Sequence, residues 1–110
     1  MKKKEIIKSK LEFNEIIHSN NFIKNHYYII YIRKTNQEVS RFGFAVGKKI
    51  GNAVTRNKIR RQLKVVVDKN KLSFPFFQDY IIMVKKNILN LEFHEMNNEL
   101  INLIKKKETK

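Results

Sequence analysis

Cysteine and tryptophan are absent from this chain of 110 residues, and it holds one proline and three glycines. Without cysteine there is no disulfide staple and no thiolate metal site, so the chain suits a reducing compartment and the cytoplasm is its expected location. Acidic residues are scarce: 10 Asp and Glu stand against 24 Lys and Arg, for a formal net charge of +14. No apolar run approaches the roughly 20 residues that span a bilayer. After the basic start at Met1 to Lys4, only Ile6 and Ile7 precede Lys8, which is too little for the apolar centre of a signal peptide.

Catalytic groups are also few. Asp68 and Asp79 are the only aspartates, whereas a two-metal nuclease needs several converging carboxylates. His18, His26 and His94 have no partner at metal-ligand spacing, and Glu92, Glu95 and Glu99 read as a solvated helix face. Gly43 to Lys49 does not make a phosphate-binding loop, because only three residues separate Gly43 from Gly47 and Lys49 sits where a Ser or Thr should hold magnesium. No catalytic residue, no metal site and no small-molecule substrate is expected of the protein itself.

What remains is a basic, foldable chain. Hydrophobic residues make up 42% and charged residues 31%, enough apolar sequence for one core with an ionic surface. The length suits a single domain over residues 1–110, with 1–8 expected as a flexible basic arm and 107–110 as a flexible tail. A compact domain of this charge repels itself, and a polyanion relieves the repulsion while releasing its counterions. Nucleic acid is the expected partner. A membrane surface would require apolar residues free to insert in lipid, and here the apolar stripes are needed for the core.

Ser9 is placed to cap a first helix over Lys10 to His18, with Leu11, Ile16 and Ile17 inward and Phe13 at the edge. Tyr27 to Arg33 is aromatic and β-branched and reads as a strand. Lys34 to Ser40 reads as a turn, and Arg41 to Lys48 as a second strand with Phe42, Phe44 and Val46 on one face, expected to pair antiparallel with the first. All three glycines lie between positions 43 and 51, marking a close approach and a strand-to-helix turn. Asn52 should cap the longest helix, Ala53 to about Asn70, with Ile59, Leu63, Val66 and Val67 inward. A loop around Pro75 leads to a buried strand, Asp79 to Lys85, and a closing helix from Phe93 to Lys106 with Phe93, Met96, Leu100, Leu103 and Ile104 inward. The expected fold is α+β, a two-layer sandwich of one small sheet covered by helices in the order α-β-β-α-β-α, with room for an extra short strand. If the last strand runs parallel to the second, a βαβ crossover encloses the basic helix.

No acidic residue occurs from Val39 to Val67, yet this span contains Lys48, Lys49, Arg56, Lys58, Arg60, Arg61 and Lys64. At about 100° per residue, Arg60 and Lys64 share one flank of the apolar stripe, while Asn57, Lys58 and Arg61 lie on the outer and opposite side. Like charges at such spacing repel, and nothing here dilutes them. A polarised cationic helix of this kind points to a nucleic-acid partner.

The run from Lys48 through Arg61, KKIGNAVTRNKIRR, resembles the signature of the protein subunit of bacterial ribonuclease P. The resemblance extends over most of the chain: a Phe-containing first helix, an aromatic strand, the Gly43 to Val46 strand and a late Asp-Tyr-Ile-Ile strand follow in family order. It implies a protein that assists a catalytic RNA in removing the 5′ leader from precursor tRNA, with Mg²⁺ required by the RNA-containing holoenzyme and no cofactor held by the protein alone. It implies that Arg56, Asn57, Lys58 and Arg61 contact the RNA subunit. It further implies that the leader lies in a cleft between sheet, first helix and long helix, formed by Phe13, Ile17, Tyr31, Arg60 and Lys64. Two positions depart from the family pattern: Lys58 replaces an arginine and loses its bidentate fork, and Ile17 stands where an aromatic is common, removing a stacking ring. The rival reading is a structural or ribosome-associated RNA-binding protein without a role in tRNA processing.

Overall fold

The computed structural model describes residues 1–108. Helix α1 spans Lys10–His18, and the Ser9 hydroxyl accepts the Glu12 N–H as the expected cap. Strands β1 (Phe22–Lys24), β2 (Tyr28–Lys34) and β3 (Arg41–Ala45) follow, then the long helix α2 (Ala53–Lys69), strand β4 (Gln78–Val84) and helix α3 (Phe93–Glu108). Asn52 caps α2 by accepting the Thr55 N–H at 2.9 Å. β1 is the extra short strand, and the fold is α+β with one mixed four-stranded sheet.

The strands lie in the order β1-β2-β4-β3. β2 and β3 are therefore not paired, contrary to the expected antiparallel pair: β4 separates them, antiparallel to β2 and parallel to β3. The physical reason lies in β4 itself, where Asp79 through Ile82 are buried in succession. A run buried on both faces belongs at the centre of a sheet. β3, α2 and β4 accordingly form the βαβ unit around the basic helix. The second strand is also shorter than expected, ending at Ala45, and Lys48–Ile50 forms a 3-10 turn.

Alternate residues of β4 face opposite ways. Tyr80, Ile82 and Val84 join Tyr28, Ile30, Ile32 and Phe42 in the main core beneath α2 and α3, which Ile59, Leu63, Val66 and Val67 complete as expected. Ile81 faces the other way, into a smaller cluster with Ile7 and Ile16 under α1. Helix α1 thus lies on the opposite face of the sheet from α2 and α3.

Three inward assignments change. Leu11 is 68% exposed, because five residues place it about 140° around the helix from the fully buried Ile16. Phe93, in the first turn of α3, is exposed, while Ile101 is buried without having been expected so. Residues 1–8, expected as a flexible arm, are packed against the domain: Ile7 is buried and donates its N–H to the Phe42 carbonyl at 2.9 Å, and Ile6 makes a parallel bridge to Phe42. Glu5 pairs with Lys71 at 2.8 Å, and the Met1 ammonium with Asp68 at 2.7 Å. This segment covers the outer side of β3, an edge strand that would otherwise offer free backbone groups. Of the tail expected at 107–110, α3 includes residues through Glu108, and 109–110 lie outside the described residues.

Candidate nucleic-acid interface

Because β3 and β4 are parallel, their C-terminal ends meet at one pole of the molecule. Lys48 and Lys49 follow β3, Lys85 and Lys86 follow β4, and the N-terminal half of α2 starts beside them. These residues border a groove of about 800 Å³ whose floor includes Phe44, Ala45 and Met83, with Arg60 on its wall. Lys85 and Lys86 were not expected in the site. They follow directly from the parallel pairing, which periodicity alone leaves open.

Along α2 the cations divide by burial. Asn57, Lys58 and Arg61 are exposed on the outer side, whereas Arg56, Arg60 and Lys64, spaced by four, are half-buried on one flank. Arg56 therefore leaves the outer row in which the resemblance groups it and stands with Arg60. Its Nε is buried without a hydrogen-bond partner among the described residues. Arg60 donates to Asn57 Oδ1 at 3.0 Å and to the Val46 carbonyl at 3.4 Å, which turns its fork toward the end of β3. Among the described residues none of Lys48, Lys49, Arg56, Lys58, Arg60, Arg61 and Lys64 pairs with a carboxylate. No carboxylate among the described residues neutralises this charge, the condition for attracting phosphates.

The acids are spent elsewhere. Asp79 is fully buried and accepts from Arg33 at 2.9 Å and from Arg41 at 2.8 and 3.1 Å. Both arginines also reach Glu12 of α1, Arg41 at 2.6 Å and Arg33 at 3.4 Å, and Arg33 reaches Glu15 at 3.2 Å. Burial alone would raise the Asp79 carboxyl, but the Arg41 and Arg33 hydrogen bonds outweigh it and hold it below the ordinary aspartate value. Glu12 is lowered first by its hydrogen bond to Arg41. The network ties α1 to three strands. A helix of nine residues is marginal alone, so such ties decide its position.

On that face of the sheet, Phe13, Ile17, Tyr31 and Ala45 pack partly buried around Ile7, Ile16 and Ile81. Phe13, Ile17 and Tyr31 are thus brought together. Arg60 and Lys64 are not beside them, because α2 packs on the opposite face; Arg60 alone of the two lines the groove at the end of β3, which Ala45 of the cluster also lines. Tyr28 is fully buried, and its hydroxyl donates to the Met96 carbonyl at 2.9 Å, so it is a core residue. Glu92, His94 and Glu95 bring ligand atoms within 4.8 Å of one another, which corrects the expectation that His94 lacks neighbours at such spacing. All three are exposed, and Glu95 accepts the Glu92 N–H at 2.9 Å as a cap of α3. No helix of the described residues is long and apolar enough to cross a membrane.

A domain with this sheet, this unpaired cationic helix and this small apolar face has close counterparts. The family model for ribonuclease P matches residues 1–108. The ribonuclease P protein component of Mycoplasma mycoides subsp. mycoides is 42% identical over 106 residues, covering 96% of this chain and 97% of that protein. Among solved structures, the RNase P protein from Thermotoga maritima superposes with a TM-score of 0.84 at 26% identity, covering 93% of this chain and 96% of that one. The Staphylococcus aureus RNase P protein gives 0.81 at 27% identity, covering 92% and 93%. Sequence and fold agree along nearly the whole length, and the chain belongs to the ribonuclease P protein family.

Proposed function

We propose that this chain is the RNA-binding protein subunit of ribonuclease P, and that it holds both the RNA subunit and the 5′ leader of precursor tRNA while the RNA performs the cleavage. The observation that carries the reading is the unpaired cationic strip of α2. Asn57, Lys58 and Arg61 on its outer side, with Lys48 and Lys49 at its start, suit the phosphates of a folded RNA. The face formed by Phe13, Ile17 and Tyr31 suits unstacked bases, with Arg60 supplying charge at the end of β3 and Arg56 and Lys64 continuing its row along α2.

The two aspartates support assigning hydrolysis, and the Mg²⁺ it requires, to the RNA. Asp79 is held by two arginines and Asp68 by Lys71 and the chain's ammonium terminus, so neither aspartate is free to share a metal. The rival reading, a structural or ribosome-associated RNA-binding protein, has no support in the family match over residues 1–108.

Two measurements test the proposal. Adding the chain to a ribonuclease P RNA at low magnesium should restore precursor cleavage, and failure to do so refutes the subunit reading. In the reconstituted holoenzyme, Tyr31→Ala should weaken precursor tRNA binding by roughly 1–3 kcal/mol, one stacked base. Mature tRNA, which has no leader, should be held as before, and equal losses for both would remove the leader face.

A further inference from the structure

The short strand β1 places an aromatic and a cation on the open part of the α1 side of the sheet. Along β1, Phe22 and Lys24 are exposed and Ile23, between them, packs against the main core. In the register Phe22 lies opposite Tyr31, and the two rings sit 5.6 Å apart, tilted by 53°. Phe22 remains 41% exposed. Lys24 lies opposite Ile29 and pairs with no carboxylate among the described residues.

A single exposed phenylalanine is ordinary on a protein surface. This one is not isolated: it abuts Tyr31, which itself packs with Phe13 and Ile17, so the apolar face runs on from α1 to the β1 edge. An aromatic pair beside an unneutralised lysine is the composition with which proteins hold single-stranded nucleic acid, rings under bases and cations at phosphates.

We propose that Phe22, Tyr31 and Lys24 form a further stacking subsite for single-stranded RNA, extending the leader face to the β1 edge. The inference rests on the reading of that face as the leader site. Phe22 takes a base, Tyr31 is shared between this subsite and the Phe13 cluster, and Lys24 meets the adjoining phosphate. The specificity is for any unpaired strand rather than for one base, because ring stacking is tolerant of sequence.

The test uses holoenzyme reconstituted with ribonuclease P RNA, precursor tRNA and mature tRNA. Phe22→Ala should weaken precursor binding about five- to tenfold, the lower range for one stacked base, and leave mature tRNA binding and the thermal midpoint of the protein unchanged. Phe22→Tyr should retain affinity, and Lys24→Ala should weaken precursor binding less than Phe22→Ala does. If Phe22→Ala binds precursor like the unaltered protein while Tyr31→Ala does not, the subsite is refuted and the leader face stands. If neither substitution separates precursor from mature tRNA, the leader face itself fails and the subsite falls with it. Equal losses for both RNAs with a lowered thermal midpoint would make Phe22 a packing residue only, which also overturns the proposal.

Discussion

The ring of Phe13 fills the space that a side chain at position 43 would need: a Cβ built on Gly43 would stand 2.5 Å from Phe13 Cζ and 2.7 Å from Ile81 Cδ1. Neither distance is tolerable for carbon, so Gly43 is the seat on which α1 settles. Gly43→Ala should destabilise the domain by about 1–3 kcal/mol through overpacking, read by urea unfolding. The cost should shrink in a Phe13→Ala background, because the two substitutions share one space. Identical costs in both backgrounds would acquit the ring.

Acid should loosen the same region. Asp79 and Glu12 are both held below their ordinary values of 3.8 and 4.5 in the folded chain. As pH falls, the unfolded chain therefore takes up these protons first, so the stability they confer is complete above those values and drains away below them. Urea midpoints should be nearly flat at higher pH and fall below about 4.5. Asp79→Asn should be less stable at neutral pH and less sensitive to acid, and an unchanged acid slope would show that the network is not the cause.

The two sides of α2 should separate stability from binding. Leu63 is fully buried, and Leu63→Ala should cost about 2–5 kcal/mol through lost burial and a cavity. Arg60→Ala removes one weak bond to the Val46 carbonyl and one to Asn57, and should cost under about 1 kcal/mol. Chemical denaturation of both variants checks this. Comparable losses would reverse the assignment of the helix faces.

Salt should report the phosphates. If the cations from Lys48 to Lys64 meet about five to seven phosphates, log affinity for the RNA subunit against log salt should slope near −4 to −6. Lys58→Ala with Arg61→Ala should flatten the slope by about 1.5. A starting slope shallower than about −2 would remove the electrostatic account.

Helix α2 was fully legible, because its cap Asn52 and its stripe Ile59, Leu63, Val66 and Val67 are local and periodic. The sheet order was not, because pairing joins residues distant in sequence. The doubly buried stretch of β4 did carry the signal for a central strand, but adjacency in the chain favoured a β2–β3 hairpin that does not exist. Of the candidate site, Phe13, Ile17 and Tyr31 fell together as the resemblance implied, while the separation of Arg60 and Lys64 from them depends on which face each helix covers. The network of Glu12, Arg33, Arg41 and Asp79 brings together four separate elements, and no window of sequence contains it. Arg56 was legible in principle, since four residues from Arg60 means the same flank, and the grouping of the motif obscured it. Phe22 sits in a strand of three residues, too short for any alternation to show.

The central position of β4 also dictates an order of events while the chain is being made. β1 and β2 can close as a hairpin as soon as they emerge, but β3 finds its neighbour, and α2 the sheet it packs on, only when residues 78–84 follow. Until then the growing polypeptide holds an unmatched apolar strand, and the inward stripe of α2 has no sheet to lie on. The surface suited to RNA is thus assembled only when β4 arrives, since Ile81 seats the Phe13 cluster and Lys85 and Lys86 complete the groove.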